Sequence, residues 1–103
     1  MGFILNANRT FSAPCRSADG QTFDVTFRAL TDEQVKEHDF DSVEGEKTFL
    51  RAIVHDIPDI EGDDKQPIAF GPEVLGQMLE FADLRGAFLR GYREQVTGAQ
   101  TGN

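Results

Sequence analysis

Apolar and polar residues alternate through the first third of the chain. Every second position is apolar at 11–15 and again at 23–29, and polar residues separate the apolar ones in the second segment. A three-residue loop with Gly20 in the left-handed region would pair Cys15 with Phe23 and put both apolar sets on one face, whereas a two-residue turn would mix them. The pattern therefore predicts an antiparallel hairpin with a three-residue loop.

Two further features extend this prediction. Pro14 lacks a backbone N–H, so its strand is predicted to lie at the edge of the sheet. Residues 2–7, GFILNA, are predicted to add another short strand. The N-terminal part is accordingly expected to form a hairpin or a small antiparallel sheet.

Helical spacing replaces the alternation after residue 30. Thr31 and Gln34 form a capping box for a short first helix. Asp41 is a start signal for a second helix, and apolar residues then recur at helical spacing over 43–55. Pro58 is predicted to stop this helix. His55 would lie at the C-terminus of this helix, where a partly charged imidazole is favoured.

The second half contains a turn-rich connector and two more helices. Ile60 and Ile68 flank the connector and predict either a small hairpin or a loop pinned to the core. Gly71-Pro72 opens a helix, because proline is well tolerated in a first turn. Asp83 is predicted to cap a last helix over about 84–96. The expected fold is a single α+β domain over residues 1–97, with a hairpin or small sheet packed against three or four helices, and a disordered polar tail over 98–103.

The charge distribution excludes several classes of partner. The formal net charge of the 103-residue chain is −8, and residues 31–64, with 12 acids and 3 bases, carry −9. Nucleic acids and anionic membrane surfaces are excluded as partners, because both require a basic surface. No apolar run approaches the ~20 residues of a membrane span, and the N-terminus lacks the pattern of a signal peptide. With Cys15 as the only cysteine, the chain is expected in the reducing cytoplasm.

The acidic run 56–64 is the first candidate for chemistry, with five acids in nine residues. An EF-hand with Gly62 at its sixth position would place Ile57 first and Ile68 twelfth, and neither side chain offers an oxygen ligand. We therefore predict a solvated turn and no metal site. A small metal-dependent hydrolase is the enzyme alternative, and it would use Asp59, Glu61 and Asp63.

The other reactive side chains favour structural roles. His38 and His55, with one cysteine, do not have the spacing of a zinc site. Cys15 faces inward in the alternation, so it is predicted to be a small core residue and not a nucleophile. We accordingly predict no cofactor and no catalytic residue.

The last helix carries two unusual sets of residues. Arg85, Arg90 and Arg93 are predicted to form a solvated face or to meet the acidic middle of the same chain or of a neighbouring subunit. Gly86 and Gly91 each cost about 1 kcal/mol relative to alanine inside a helix. Both are predicted to allow close backbone approach, to the hairpin or to a partner helix.

The order of segments resembles the small acidic tail assembly chaperones of long-tailed bacteriophages and prophages. The resemblance covers about residues 20–96 and runs through FDVTFRALT, KTFLRAIVHDI, IEGDDKQPIAF, GPEVLGQML and LRGAFLRGYREQV. Family members often carry a tryptophan before the acidic turn, where this chain has residues 57–60, IPDI.

The resemblance implies a non-enzymatic protein that coats the tape measure protein in the host cytoplasm until tail tube protein polymerises around it. The tape measure protein is the implied partner, and the tail tube protein is a further implied partner. Whether the chain forms a homo-oligomer is left open. A virion structural protein, such as a tail completion or head–tail connector component, is the alternative. The expected contact residues lie on the last two helices: Phe81, Leu84, Arg85, Phe88, Arg90 and Tyr92. A core role is the alternative for most of them, and the sequence pattern does not separate the two roles.

Overall fold

The computed structural model describes residues 2–98 and has an α+β architecture, as predicted. Three antiparallel strands form a sheet in the order β1-β2-β3, and two short strands form a separate hairpin, β4-β5. The elements in chain order are β1 (Thr10–Arg16), β2 (Thr22–Arg28), α1 (Asp32–Lys36), α2 (Val43–Ile53), β3 (Val54–Asp56), β4 (Ile60–Glu61), β5 (Pro67–Ile68), α3 (Pro72–Met78) and α4 (Ala82–Thr97). Of the predicted tail 98–103, only Gly98 is described, and it ends α4 with a φ of 71°.

The β1-β2 hairpin has the predicted register. Cys15 pairs with Phe23, and the N–H of Ser17 donates to the carbonyl of Gln21 at 2.9 Å, which leaves a three-residue loop. Gly20 has a φ of 92°, a conformation that L side chains rarely adopt. β1 is an edge strand, as its proline predicted. Matching the buried faces thus identified both the loop length and the pairing.

One predicted strand is absent, and one predicted helix is present but ends two residues early. Residues 2–9 contain no strand, and Phe3, Ile4 and Leu5 are 76–84% exposed. The predicted helix 43–55 ends at Ile53, and the chain continues directly into β3, which pairs with β2. Val54 is buried opposite Phe27 in this pairing, so burial in the sheet outweighs one more helical turn.

His55 and Asp83 also differ from their predicted capping roles. His55 is an exposed residue of β3, and Val54 is the C-cap of α2. Asp83 lies inside the first turn of α4, where its carboxylate accepts a hydrogen bond from the N–H of Ala18 at 3.0 Å. Phe81 is the N-cap residue, so this carboxylate ties α4 to the hairpin loop and does not cap the helix.

The predicted start signals hold for α1 and α3, whereas α2 has a different capping residue. The capping box of α1 is confirmed in both directions between Thr31 and Gln34. α2 is capped by Ser42 instead of Asp41, because the Ser42 hydroxyl accepts a hydrogen bond from the N–H of Gly45 at 3.0 Å. α3 begins at Gly71-Pro72, as predicted.

The core lies where α2 and α4 cover one face of the sheet. Its fully buried large side chains come from the strands, the helices and their connections, namely Val25, Phe27, Leu50, Ile53, Ile57, Leu79 and Phe88. Gly91 of α4 sits against β1: a Cβ there would lie 2.7 Å from Sγ of Cys15 and 3.0 Å from the carbonyl oxygen of Pro14. Close approach to the hairpin is therefore confirmed at Gly91. It is wrong at Gly86, where a Cβ would meet the Arg90 side chain at 3.2 Å and no backbone.

Candidate partner-binding groove

Two of the six predicted contact residues are core residues. Phe88 is fully buried, and its ring meets Phe23 edge to face at 5.9 Å between centroids. Tyr92 is 8% exposed and packs against the rings of Phe11 and Phe27, while its hydroxyl accepts a hydrogen bond from the N–H of Leu30 at 3.2 Å. These side chains hold α4 on the sheet, which is the core role that the sequence left open for them.

The other four predicted residues occupy different environments. Phe81 is 59% exposed at the start of α4, and Leu84 is partly buried against the core. Arg85 forms an ion pair with Glu46 at 3.0 Å and also donates to the Leu79 carbonyl at 2.9 Å. Arg90 donates to the carbonyl of Arg16 at 3.4 Å. Arg85 thus meets the acidic middle of its own chain, and Phe81 is the most exposed of the predicted apolar contacts.

An apolar groove runs beside the outer flank of α4, and the sequence did not predict it. Its volume is about 410 Å³. α4 supplies one wall, α1 and its connection to α2 supply the other, and α2 lies between them. The apolar lining consists of Val35, Phe40, Phe49, Leu89, Tyr92 and Val96. Phe40 is 47% exposed and Val96 is 55% exposed, so the groove presents apolar side chains to solvent.

Local interactions fix the connection that carries Phe40. The Asp39 carboxylate accepts hydrogen bonds from the N–H of Asp41 at 2.8 Å and from the Ser42 hydroxyl at 3.1 Å. The ring of Phe40 lies edge-on to Phe49 at 4.8 Å. Gly45 permits the arrangement, because a Cβ there would lie 1.9 Å from the carbonyl oxygen of Asp39. The connection therefore crosses directly over the first turn of α2 and holds one wall of the groove in place.

Charged residues are common in the segments that border the groove. Residues 32–46 contain seven acids and one base, which gives −6 for α1, the connection and the start of α2. On α4, Arg93 is the charged residue that lines the groove. Arg93 is exposed and forms no ion pair within residues 2–98. The lining itself is mostly apolar and holds two charged side chains, Arg93 and Glu46, of which Glu46 is paired with Arg85.

The acidic run has the geometry of a turn. The β4-β5 hairpin is closed by a hydrogen bond from the N–H of Gly62 to the carbonyl of Gln66 at 3.0 Å, and Lys65 is left-handed with a φ of 63°. The Asp64 carboxylate accepts the Gln66 N–H at 3.1 Å. In the part of the chain that is described, no three His, Cys, Asp or Glu residues converge to hold a metal ion. The small hairpin predicted by Ile60 and Ile68 is confirmed, since these two residues pair.

The two histidines stand in separate settings. His38 rests edge-on against Phe49 at 5.3 Å between ring centroids, beside the groove. His55 is exposed on β3, at the other end of α2. Neither residue belongs to a converging ligand set among residues 2–98.

Cys15 is expected to be inert to thiol reagents in the folded protein. Burial raises the pKa of its thiol from the usual 9.0 to about 12, which lowers the thiolate fraction near neutral pH about a thousandfold. The side chain is also 3% exposed. We expect labelling by a chromogenic disulfide to be at least that much slower than for a free cysteine, and to become fast in denaturant. Rapid labelling of the native protein would contradict the packing of Cys15 under α4.

Comparison with known proteins gave no relative on which to base an assignment. No protein-family model, curated protein or solved structure matches the chain. None of the helices within residues 2–98 has the length and apolar character needed to span a membrane.

Proposed function

We propose that this protein is a non-enzymatic tail assembly chaperone of long-tailed bacteriophages or prophages. It binds an apolar, helical segment of the tape measure protein in the host cytoplasm and keeps that protein soluble until tail tube protein assembles around it. The observation that carries the proposal is the groove beside α4, with Phe40 and Val96 about half exposed. The order of sequence segments supplies the family context.

The size of the groove suits reversible binding. Permanent protein–protein interfaces bury large apolar areas, whereas a transient contact needs a small apolar centre with a polar rim. Here the apolar centre is one groove of about 410 Å³, and its lining also includes the charged residues Glu46 of α2 and Arg93 of α4. A chaperone that must leave before the tail is complete requires an interface of this modest kind.

Two features favour binding over catalysis. The Cys15 thiol is buried and protonated near neutral pH, so it is a poor nucleophile. The carboxylates of Asp59, Glu61 and Asp63 are exposed around a turn. Asp59 and Glu61 line a pocket of about 330 Å³, but within residues 2–98 no group of three His, Cys, Asp or Glu residues converges there to hold a metal ion. The groove, in contrast, offers apolar contact and no activated group.

The direct test is co-expression with the cognate tape measure protein, followed by affinity capture and sizing of the complex. We expect the wild-type chain to keep the tape measure protein soluble and to co-purify with it. The double variant Phe40→Ser, Val96→Ser should lose the complex, because it removes the exposed apolar residues of the groove. Phe81→Ser is the matched control, since Phe81 is equally exposed but lies at the opposite end of α4.

The outcomes separate the possible contact surfaces. Loss of the complex only in Phe81→Ser would move the contact to the N-terminus of α4, as the sequence predicted. A tape measure protein that aggregates equally with and without the wild-type chain would contradict the chaperone function. Thermal melts of each variant confirm that the comparison is made between folded proteins.

A virion structural role is the second candidate, and the N-terminal segment favours it. Phe3, Ile4 and Leu5 are 76–84% exposed and form a continuous apolar stretch, which a permanent neighbour in a particle would bury. Detection of the chain in purified virions at a fixed stoichiometry would support this role and exclude a transient chaperone.

A further inference from the structure

Two adjoining cavities border the end of β2 and the short strand β3, and neither shares a lining residue with the groove beside α4. Their volumes are about 370 Å³ and about 250 Å³, and Arg28 and His55 line both of them. Arg51 lines the larger cavity and Arg9 lines the smaller one. The two cavities together are called the basic cleft below.

The charge of the basic cleft is opposite to that of the whole chain. The chain has 18 acids and 10 bases, yet no Asp or Glu within residues 2–98 lines the cleft. Arg9, Arg28 and Arg51 form no ion pair within the described residues. Glu80 lies within the field of Arg51, but its pKa is lowered mainly by its hydrogen bond to Lys47 at 2.6 Å, and it does not line the cleft. The cleft therefore holds positive charge that the described part of the chain does not neutralise.

Local contacts hold two of the guanidinium groups at the cleft. Nη1 of Arg28 donates to the carbonyls of Ala52 and Val54 at 3.3 and 3.2 Å, and its other N–H groups form no hydrogen bond within residues 2–98. Nη2 of Arg51 lies beside Gly76 of α3, where a Cβ would come within 3.1 Å of it. Since a guanidinium has five N–H donors, both groups keep donors for a ligand. Carboxylates are well matched to such groups, because two parallel N–H···O bonds form at once.

The larger cavity also has an apolar part, which distinguishes between anionic ligands. Val54 and Leu75 are buried there, and Phe70 is partly buried against the core. A free phosphate or a nucleic-acid backbone would use the arginines and leave the apolar lining in water, and a nucleic acid would also require many more basic contacts. A peptide that carries a carboxylate next to an apolar side chain would use both parts of the cavity.

We propose that the basic cleft binds an acidic segment of a partner protein, in which an apolar side chain stands next to carboxylates. Arg28 and Arg51 bind the carboxylates, and Phe70 and Leu75 contact the apolar side chain. The net charge of −8 does not prevent this, because charges more than about 10 Å apart are largely screened at 0.1 M salt. The inference goes beyond the proposed function, since it assigns a second partner surface that shares no lining residue with the groove.

The experiment compares three synthetic peptides with the same short leucine centre, flanked by glutamates, glutamines or lysines. Binding of each peptide to the full chain is measured by fluorescence anisotropy with a neutral dye, at low and at high salt. We expect the glutamate peptide to bind about tenfold more tightly than the glutamine peptide, the effect of a few exposed ion pairs, and this ratio shrinks at high salt. Equal binding of these two peptides, or tightest binding of the lysine peptide, would overturn the proposal.

A matched pair of charge reversals locates the site. Arg51→Glu should weaken binding of the glutamate peptide about tenfold, and Arg51→Gln, which removes the charge without adding an acid, should weaken it about threefold. Arg16→Glu is the control, because Arg16 is also exposed, forms no ion pair within residues 2–98 and lines neither the cleft nor the groove. Equal weakening by Arg51→Glu and Arg16→Glu would show that net charge selects the peptide, and would contradict the inference. Thermal melts establish that each variant is folded.

Two further measurements test the competing occupants. Inorganic phosphate or single-stranded DNA that displaces the glutamate peptide as effectively as an unlabelled copy of it would identify a general anion site and overturn the choice of a peptide. A chain that sediments as a dimer, and that Arg51→Glu dissociates, would place acidic residues of a second copy in the cleft and exclude a separate partner. Co-expression with the tape measure protein tests the groove, so failure of that experiment and failure of this inference are distinguished by which variants lose binding.

Discussion

Replacing Phe88 with alanine is expected to lower the free energy of unfolding by about 3–5 kcal/mol. The side chain is fully buried between α4 and the sheet, where it contacts the edge of Phe23. Its removal loses the transfer free energy of the ring and leaves a cavity, because the surrounding strands and helices cannot close around it. Domains of this size are stabilised by only about 5–15 kcal/mol, so the loss is a large fraction of the total. Urea denaturation measures this loss, provided that the free energy of unfolding falls with urea concentration at the same slope in the variant and the wild type.

Phe81→Ala is the control for this experiment. Phe81 is on the same helix and is the same residue type, but it is 59% exposed. We expect its effect on the free energy of unfolding to stay within about 0.5 kcal/mol. Equal destabilisation by the two substitutions would mean that α4 does not pack on the sheet as described, and would also invalidate the placement of the groove.

Gly91→Ala is expected to destabilise the protein although alanine is the better helix former. A Cβ at this position would lie 2.7 Å from Sγ of Cys15 and 3.0 Å from the carbonyl oxygen of Pro14, and β1 holds both atoms in the sheet. The helix must move away from the hairpin, at a cost of about 1–3 kcal/mol for overpacking. This cost exceeds the gain of about 1 kcal/mol from helix propensity. Chemical denaturation of the variant measures the net loss.

Gly86→Ala supplies the opposite result within the same helix. Its Cβ would meet only the end of the flexible Arg90 side chain, which can move aside. We therefore expect Gly86→Ala to raise the free energy of unfolding by up to about 1 kcal/mol. If Gly91→Ala also stabilised the protein, the close approach of α4 to β1 would be contradicted.

The parts of the fold that sequence analysis predicted are those in which local chemistry and burial agree. The β1-β2 hairpin could be predicted because one register puts both apolar sets on the buried face and also places Gly20 where a left-handed residue is needed. The α1 capping box and the Gly71-Pro72 start of α3 were predicted for the same reason. Each depends on residues close in sequence, whose conformational preferences do not require knowledge of a distant partner.

β3 was missed because its cause is distant in sequence. Ile53, Val54 and Ile57 fit helical spacing as well as they fit a short strand, so local pattern cannot separate the two. What selects a strand is pairing with β2, in which Val54 lies opposite Phe27. The same limitation affects any three-residue strand that directly follows a helix.

The candidate site was predicted only in part, because an apolar stripe does not identify what covers it. Phe88 and Tyr92 were correctly placed on one face of α4, but that face packs on the sheet. The groove uses the adjacent stripe of Leu89 and Val96 and shares Tyr92 with the buried face. Phe40 stands alone between Asp39 and Asp41, and a single apolar residue in a polar segment does not by itself indicate a contact surface.

The direct junction between α2 and β3 limits how the length of this chain can change. One residue added at Ile53–Val54 would either rotate α2 by about 100° relative to the sheet or turn the strand's buried face outward. The tip of the β4-β5 turn, around Gly62–Gln66, is exposed and has no such coupling to the core. Homologous chains should therefore differ in length at this tip and keep a constant number of residues from the start of α2 to the end of β3. An alignment of such chains can treat that segment as an ungapped block.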